Sequence, residues 1–294
     1  MIKTDILIIG AGPTGLFTVF EAGLLKLKCH LIDALPQAGG QCSEIYPKKP
    51  IYDIPGFPEI LAGDLTNNLL EQCKQFEPGF TLGERAEKIS KDENGMFIVV
   101  TNKGTEHQAP VIAIAGGLGS FEPRKPSLDN LNFYEGKGVE YIIKDPTVYK
   151  KKRIVIAGGG DSALDWSIYL ADIAKEVTLV HRRNEFRGAL DSLEKARELK
   201  KEKKINIITP AEITQLGGKE KLERIVVTKD KVDTIINLDH FIPLFGLSPR
   251  LGPIADWGLE IEKNAIKVDT FDYQTNVPGI FAIGDINTYP GKLK

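Results

Sequence analysis

The feature that most constrains this chain is a glycine turn that occurs twice. Gly10-x-Gly12-x-x-Gly15 follows a short apolar run, Asp5 to Ile9, and precedes a stretch in which Leu16, Phe20, Gly23, Leu24 and Leu27 recur at helical spacing. In a strand–turn–helix of this kind the first glycine permits the tight turn. The second lets the backbone approach a pyrophosphate, and the third lets helix and strand pack closely. The start of the helix then offers unpaired N–H groups and partial positive charge to a phosphate. A second apolar run, Cys29 to Asp33, ends in Asp33, where a carboxylate accepts hydrogen bonds from ribose hydroxyls. These parts together predict a dinucleotide site.

The arrangement repeats at Gly158-x-Gly160-x-x-Ala163, after the apolar run Arg153 to Ala157, with Asp161 and Ser162 opening the helix. Here the second strand, Val177 to Val180, ends not in an acid but in His181-Arg182-Arg183, with Arg187 further on. A carboxylate repels a 2′-phosphate, whereas guanidinium groups bind one in bidentate fashion. The second site is therefore expected to take NADP rather than NAD. Asp33 suits an unphosphorylated ribose, so the first site is expected to hold FAD, and two sites in one chain imply hydride transfer between flavin and nicotinamide.

Between the two turns the rhythm changes. Thr81 to Ile89, Met96 to Thr101 and Glu106 to Ala115 read as three β stretches, with turn signals at Asn94-Gly95 and Lys103-Gly104. Two hairpin-like stretches follow the second dinucleotide unit, around Ile205 to Asp230. The expected fold is α/β: two Rossmann-like domains, each three-layered with a parallel sheet and a β-meander, the NADP domain inserted in the FAD domain. Breaks at Glu122 to Pro126 and Gly246 to Pro249 place the FAD domain at 1–119 and 248–294 and the NADPH domain at 120–247.

Composition narrows the function by exclusion. A net charge of −2 over 294 residues gives no bulk attraction to nucleic acid or acidic membranes. Cys29, Cys42 and Cys73 form neither CxxC nor a zinc pattern, so no metal site is expected, and the cysteine usage fits a cytoplasmic setting. No apolar run approaches the length of a bilayer span, so no membrane association is expected.

The motifs Gly10 to Gly15, Gly39-Gly40-Gln41, Gly158 to Ala163, His181 to Arg183 with Phe186-Arg187, and Ile280 to Asp285 together resemble thioredoxin reductase, in order and over nearly the whole chain. One departure is sharp. Tyr141 to Lys144 occupy the place of that family's redox CxxC and contain no thiol. Gly40 to Pro47, Ile51 to Phe57, Gly119 to Arg124 and Lys144-Asp145-Pro146 resemble instead the thioredoxin-reductase-like ferredoxin–NADP+ reductases. That resemblance implies FAD contacts at Thr14, Asp33, Gln41, Tyr46, Ala86, Phe121 and Asp285, with Tyr46 stacking on the isoalloxazine and Asp285 accepting from the ribityl chain. It implies transient partners, ferredoxin or flavodoxin, a homodimer, and a further C-terminal helix and tail that this sequence does not include. No side chain is expected to act as catalytic acid or base. Rivals stand beside this reading. A bacillithiol-disulfide-reductase-like flavoprotein is disfavoured by Thr14, where that family carries cysteine, and a diaphorase-type NADPH flavoprotein stays as an alternative. A non-catalytic NADPH sensor is disfavoured by the presence of two nucleotide sites.

Overall fold

The computed structural model describes residues 1–119, 122–248 and 250–292. The chain forms two compact units, Met1–Glu122 with Pro249–Lys294, and Pro123–Ser248.

The first unit opens with β1 (Ile6–Ile9), α1 (Pro13–Leu24) and β2 (Cys29–Asp33). Leu7, Ile8, Leu31 and Ile32 are all but inaccessible, as strands covered on both faces must be. Helix α1 buries Leu16, Val19, Ala22 and Gly23 but not Leu24 or Leu27, which are 59% and 38% exposed. The helix has ended by Lys26, whose φ is +61°. A helix that the sequence pattern did not announce, α2 (Ala62–Lys74), packs on α1, and Gly23 lies where a Cβ would meet the Phe76 ring at 2.2 Å.

The β stretches that follow divide differently from expectation. Thr81 to Ile89 is two strands, β3 (Gly79–Leu82) and β4 (Ala86–Lys91), because Gly83 turns the chain at φ +70°. Glu106 to Ala115 is also two, β6 (Glu106–Ala109) and β7 (Val111–Ile114). Pro110 stands between them and has no N–H to give to a ladder. Strands β4, β5 (Phe97–Thr101) and β6 make the antiparallel meander, with Ile2–Lys3 parallel along β6.

The second unit repeats the opening with β8 (Arg153–Ala157), α3 (Asp161–Leu170) and β9 (Glu176–Val180), followed by α4 (Leu190–Lys201). Strand β10 (Ile205–Ile208) pairs in parallel with β9, so it is a sheet strand and not half of a hairpin. The meander is β11 (Glu212–Gly217), β12 (Arg224–Lys229) and β13 (Val232–Asn237). Strand β13 lies beyond the expected stretch, across a turn in which Asp230 and Lys231 both have positive φ, the geometry of a two-residue hairpin. Strand β14 (His240–Pro243) completes the parallel sheet in the order β10-β9-β8-β14.

The chain then returns to the first unit with β15 (Ala265–Lys267), β16 (Ile280–Ala282) and β17 (Asn287–Thr288). Strand β16 pairs in parallel with β7, giving a five-stranded sheet in the order β16-β7-β1-β2-β3. The fold is mixed α/β with two parallel sheets, each behind one glycine turn. Among the described residues no helix is long and apolar enough to cross a membrane, and no cluster of three or more metal-ligating side chains occurs.

Candidate functional site

In the first unit, parallel strands deliver their carboxyl ends to one edge of the sheet, where ligands of such folds bind. A cavity of about 490 Å³ lies there. Its walls bring together Gly10, Gly12, Thr14, Asp33, Gln41, Tyr46, Ala86 and Asp285, contributed by the glycine turn, β2, the short helix Gly40–Glu44, β4 and the segment after β16. Gly15 is not in the wall. It is buried beneath, where a Cβ would fall 2.1 Å from the Gly10 carbonyl oxygen. Gly10 itself has φ +109° and is pressed against the Ala115 carbonyl. Phe121 lies outside the described residues.

Gly12 tests whether these residues fit a dinucleotide. A Cβ there would meet nothing nearer than Gly40 Cα at 3.8 Å. The outer glycines are therefore required by the protein's own packing, while the middle one keeps clear a space that the protein does not fill. That is the cradle a pyrophosphate needs, beside the N–H groups of α1.

Asp33 is held by the turn it faces. Its Oδ2 accepts from Ala11 N–H at 2.6 Å and its Oδ1 from Leu35 N–H at 2.9 Å. Burial raises its pKa, and the two amides oppose that rise without cancelling it. Burial likewise pushes the Tyr46 hydroxyl above its ordinary range, aided by the nearby Cys42 and Asp285. The Cys42 thiol is also raised by burial, so it stays protonated and unreactive although it lines the cavity.

Glu84, Arg85 and the segment Arg250 to Ile254, which belong to none of the sequence motifs, line the same cavity. Glu84 and Arg85 follow directly on β3 at the carboxyl edge of the sheet, and that placement was the available signal. The Arg85 guanidinium is engaged by Glu87 at 2.9 Å.

The second unit reproduces the logic of the turn. Gly158 and the Leu244 carbonyl approach so closely that a Cβ would sit 2.6 Å from the oxygen, and Ala163 is fully buried behind it. Gly160 is open, with nothing within 4 Å of a Cβ. Ser162 is exposed at the start of α3, and Asp161 Oδ1 accepts from Ala189 N–H at 2.7 Å, tying the following loop to the helix.

That loop carries the arginines. Arg187 N–H donates to the Gly159 carbonyl at 2.7 Å. The buried His181 ring fills the space beside Gly159, packs on Phe186 at 4.8 Å between centroids, and donates from Nε2 to the Glu185 carbonyl at 3.0 Å. Arg182, Arg183 and Arg187 are exposed around it. Burial lowers the His181 pKa and the three guanidinium charges lower it further.

The segment that would carry a redox disulfide holds side chains of another kind. Tyr141 donates to Glu135 Oε1 at 2.7 Å, and Lys125 pairs with the same carboxylate at 2.6 Å. Glu140 accepts from Tyr149 and contacts His240 Nδ1 at 3.1 Å. The cysteines Cys29, Cys42 and Cys73 are all buried, free and in the first unit.

Comparison with known proteins accords with this geometry. Residues 4–293 match the family model described as pyridine nucleotide-disulphide oxidoreductase. The chain is 72% identical over 295 residues to a ferredoxin–NADP reductase of Flavobacterium johnsoniae, covering all of this chain and 84% of that protein. It is 72% identical over 298 residues to ferredoxin–NADP reductase 1 of Christiangramia forsetii, again covering all of this chain and 84% of the relative. Among solved structures, Lactococcus lactis thioredoxin reductase in its FR conformation superposes with a TM-score of 0.84 at 26% identity, over 99% of this chain and 92% of that one. The chain belongs to the pyridine nucleotide-disulphide oxidoreductase family, on its thioredoxin-reductase-like ferredoxin–NADP reductase branch.

Proposed function

We propose that this chain, loaded with FAD, draws electrons from NADPH and delivers them to ferredoxin, with flavodoxin as a second acceptor. The observation that carries the reading is the pair of glycine cradles. Each has its outer positions closed by packing and its middle position open. The unit Met1–Glu122 with Pro249–Lys294 is then the FAD-binding unit, and Pro123–Ser248 the NADPH-binding unit. When bound, FAD supplies the conversion between two-electron and single-electron transfer.

The chain's own residues bind and orient. Gly10 and Gly15 set the turn, and Gly12 admits the pyrophosphate to the N–H groups of α1. Asp33, already fixed by two amides, offers its remaining lone pairs to a ribose. Thr14, Gln41, Tyr46, Ala86 and Asp285 complete the wall, with Phe121 assigned by resemblance alone. Gly158, Gly160, Asp161, Ser162 and Ala163 form the second cradle, and Arg182, Arg183 and Arg187 recognise the 2′-phosphate. No thiol relay intervenes, because the second unit has no cysteine. The resemblance further supports a homodimer working in the cytoplasm.

Anaerobic NADPH titration of the FAD-loaded protein, followed by ferredoxin, flavodoxin or thioredoxin with a disulfide reporter, tests the reading. Bleaching by NADPH and reoxidation by ferredoxin are expected, with negligible thioredoxin turnover. Thioredoxin turnover comparable to that with ferredoxin would overturn it.

A further inference from the structure

After β16 the chain folds back on itself. Gly284–Ile286 forms one 3-10 turn, β17 follows, and Tyr289-Pro290-Gly291-Lys292 closes a β-turn. Lys292 N–H donates to the Tyr289 carbonyl at 3.2 Å, and Gly291 has φ +81°. Proline at the second place and a left-handed glycine at the third are what a type II turn requires.

This turn sends Lys292 back over the segment that precedes it. The ammonium donates to the Gly284 carbonyl at 2.7 Å, the Asn287 carbonyl at 2.9 Å and Asn287 Oδ1 at 2.6 Å. An ammonium has three protons, and here each has an acceptor. Asn287 is 3% exposed, and its Nδ2 donates to the Ala282 carbonyl at 2.8 Å. One amide thus joins the last strand of the sheet to Lys292. On the opposite side Gly284, at φ +74°, lies so near Thr14 that a Cβ would fall 2.9 Å from its Oγ1. Between these anchors are Ile286, buried in the core, and Asp285, in the cavity wall.

A left-handed glycine gives the turn backbone freedom, and the turn itself is closed by one backbone bond, Asn287 N–H to the Gly284 carbonyl. Lys292 adds a second donor to that carbonyl and clamps Asn287 at the other end of the turn. We propose that Lys292, acting through Asn287, is the positioning residue that holds Asp285 at the cavity wall and so sets how tightly FAD is held. The proposal rests on the FAD reading above.

The test is FAD titration into apoprotein, followed by flavin fluorescence quenching, with Lys292→Met, Lys292→Gln, Asp285→Asn, and Lys292→Met combined with Asp285→Asn. Lys292→Met is expected to weaken FAD binding on the order of tenfold, as loss of charge-assisted hydrogen bonds does. Lys292→Gln, which keeps an N–H donor, should fall between it and the parent. In the Asp285→Asn background Lys292→Met should add less than about twofold, because the residue it positions has lost its charge. Parent-like affinity in Lys292→Met overturns the proposal, as does the same tenfold loss in both backgrounds. A parent apoprotein that takes up no FAD overturns the FAD reading as well, and so separates the two failures.

Discussion

The arginine loop of the second unit invites a direct perturbation, Arg182→Ala with Arg183→Ala. The loop does not depend on these side chains for its shape. It is pinned by Arg187 N–H on the Gly159 carbonyl, by Asp161 on Ala189 N–H, and by the buried His181 ring with its bond to Glu185. Removing two guanidinium groups should therefore leave the backbone in place and act on the ligand alone. A hydrogen bond to a charged group contributes about 1.5–3 kcal/mol. Both arginines are exposed, so solvent screening holds each to the lower part of that range or below it. A joint loss of about 2–4 kcal/mol corresponds to roughly 30- to 700-fold in the NADPH-to-NADH ratio of kcat/KM. Steady-state kinetics with both nucleotides reads this ratio, with the rise confined to KM for NADPH and bound FAD retained. Imidazole NMR supplies a second readout: the His181 pKa should rise, because two of the charges that depress it are gone. An unchanged nucleotide ratio would refute the assignment of these arginines to the 2′-phosphate.

Other outcomes follow from named contacts. Gly15→Ala forces a methyl against the Gly10 carbonyl and should lower the apoprotein's melting temperature, whereas Gly12→Ala should leave that temperature within a few degrees and abolish tight FAD binding. Equal thermal loss in both would show that the middle glycine is also structural. In the first unit, Thr81 Oγ1 bridges His30 Nε2 at 2.8 Å and His107 Nε2 at 2.9 Å, and burial lowers the His30 pKa from 6.5 to about 4. The unfolded chain therefore takes up the proton first. The stability that neutral His30 contributes is complete above pH 6.5 and declines as pH falls toward 4, by about 2–3 kcal/mol at pH 4.5. Urea unfolding of apoprotein at pH 7 and 4.5 measures the decline, which His30→Phe should reduce, leaving the shares of the other buried histidines His107 and His181, whose pKa values burial also lowers; a decline of unchanged size in that variant would assign it to other groups. Exposed cysteines should be absent: in the folded protein a thiol reagent should label none of Cys29, Cys42 and Cys73 quickly, and all three after denaturation.

The two glycine turns were legible because their chemistry is local. A strand, a turn that only glycine can make and a helix occupy one short stretch, and their spacing survives any tertiary context. The break at Pro110 was equally local but was passed over, since a run that is β-like on both sides of a proline reads as one strand until the missing donor is counted. Helix α2 is faint in the sequence because its apolar face is thin: Ala62, Thr66 and Cys73 are its buried residues, two of them small and one polar. The cavity wall was partly legible. Asp33 and Asp285 stand at the ends of apolar runs, and Glu84 and Arg85 just past the end of β3, whereas Arg250 reaches the wall only through a chain return that no sequence window contains. The grip of Lys292 was invisible for a further reason. A lysine near a Pro-Gly turn is ordinarily a solvated charge, and three carbonyl-type acceptors converging on it exist only in the folded chain.

The division of the first unit between two distant stretches of chain bears on how the protein is made. Its core joins Leu7, Ile9, Ile32 and Ile114 to Leu251, Ile254, Ile280 and Ile286. Strand β7 finds its outer partner only in β16. On the ribosome, β1 and β7 emerge early and then wait while the whole of Pro123–Ser248 is synthesised, on the order of ten seconds or more at about 5–20 residues per second. The second unit is continuous and has everything it needs once Ser248 is clear of the exit tunnel. Although it carries the later glycine turn, it is the part that closes first. The nascent chain therefore spends that interval with the apolar edge of its first sheet unpaired, the condition in which an edge strand is most open to pairing with another chain.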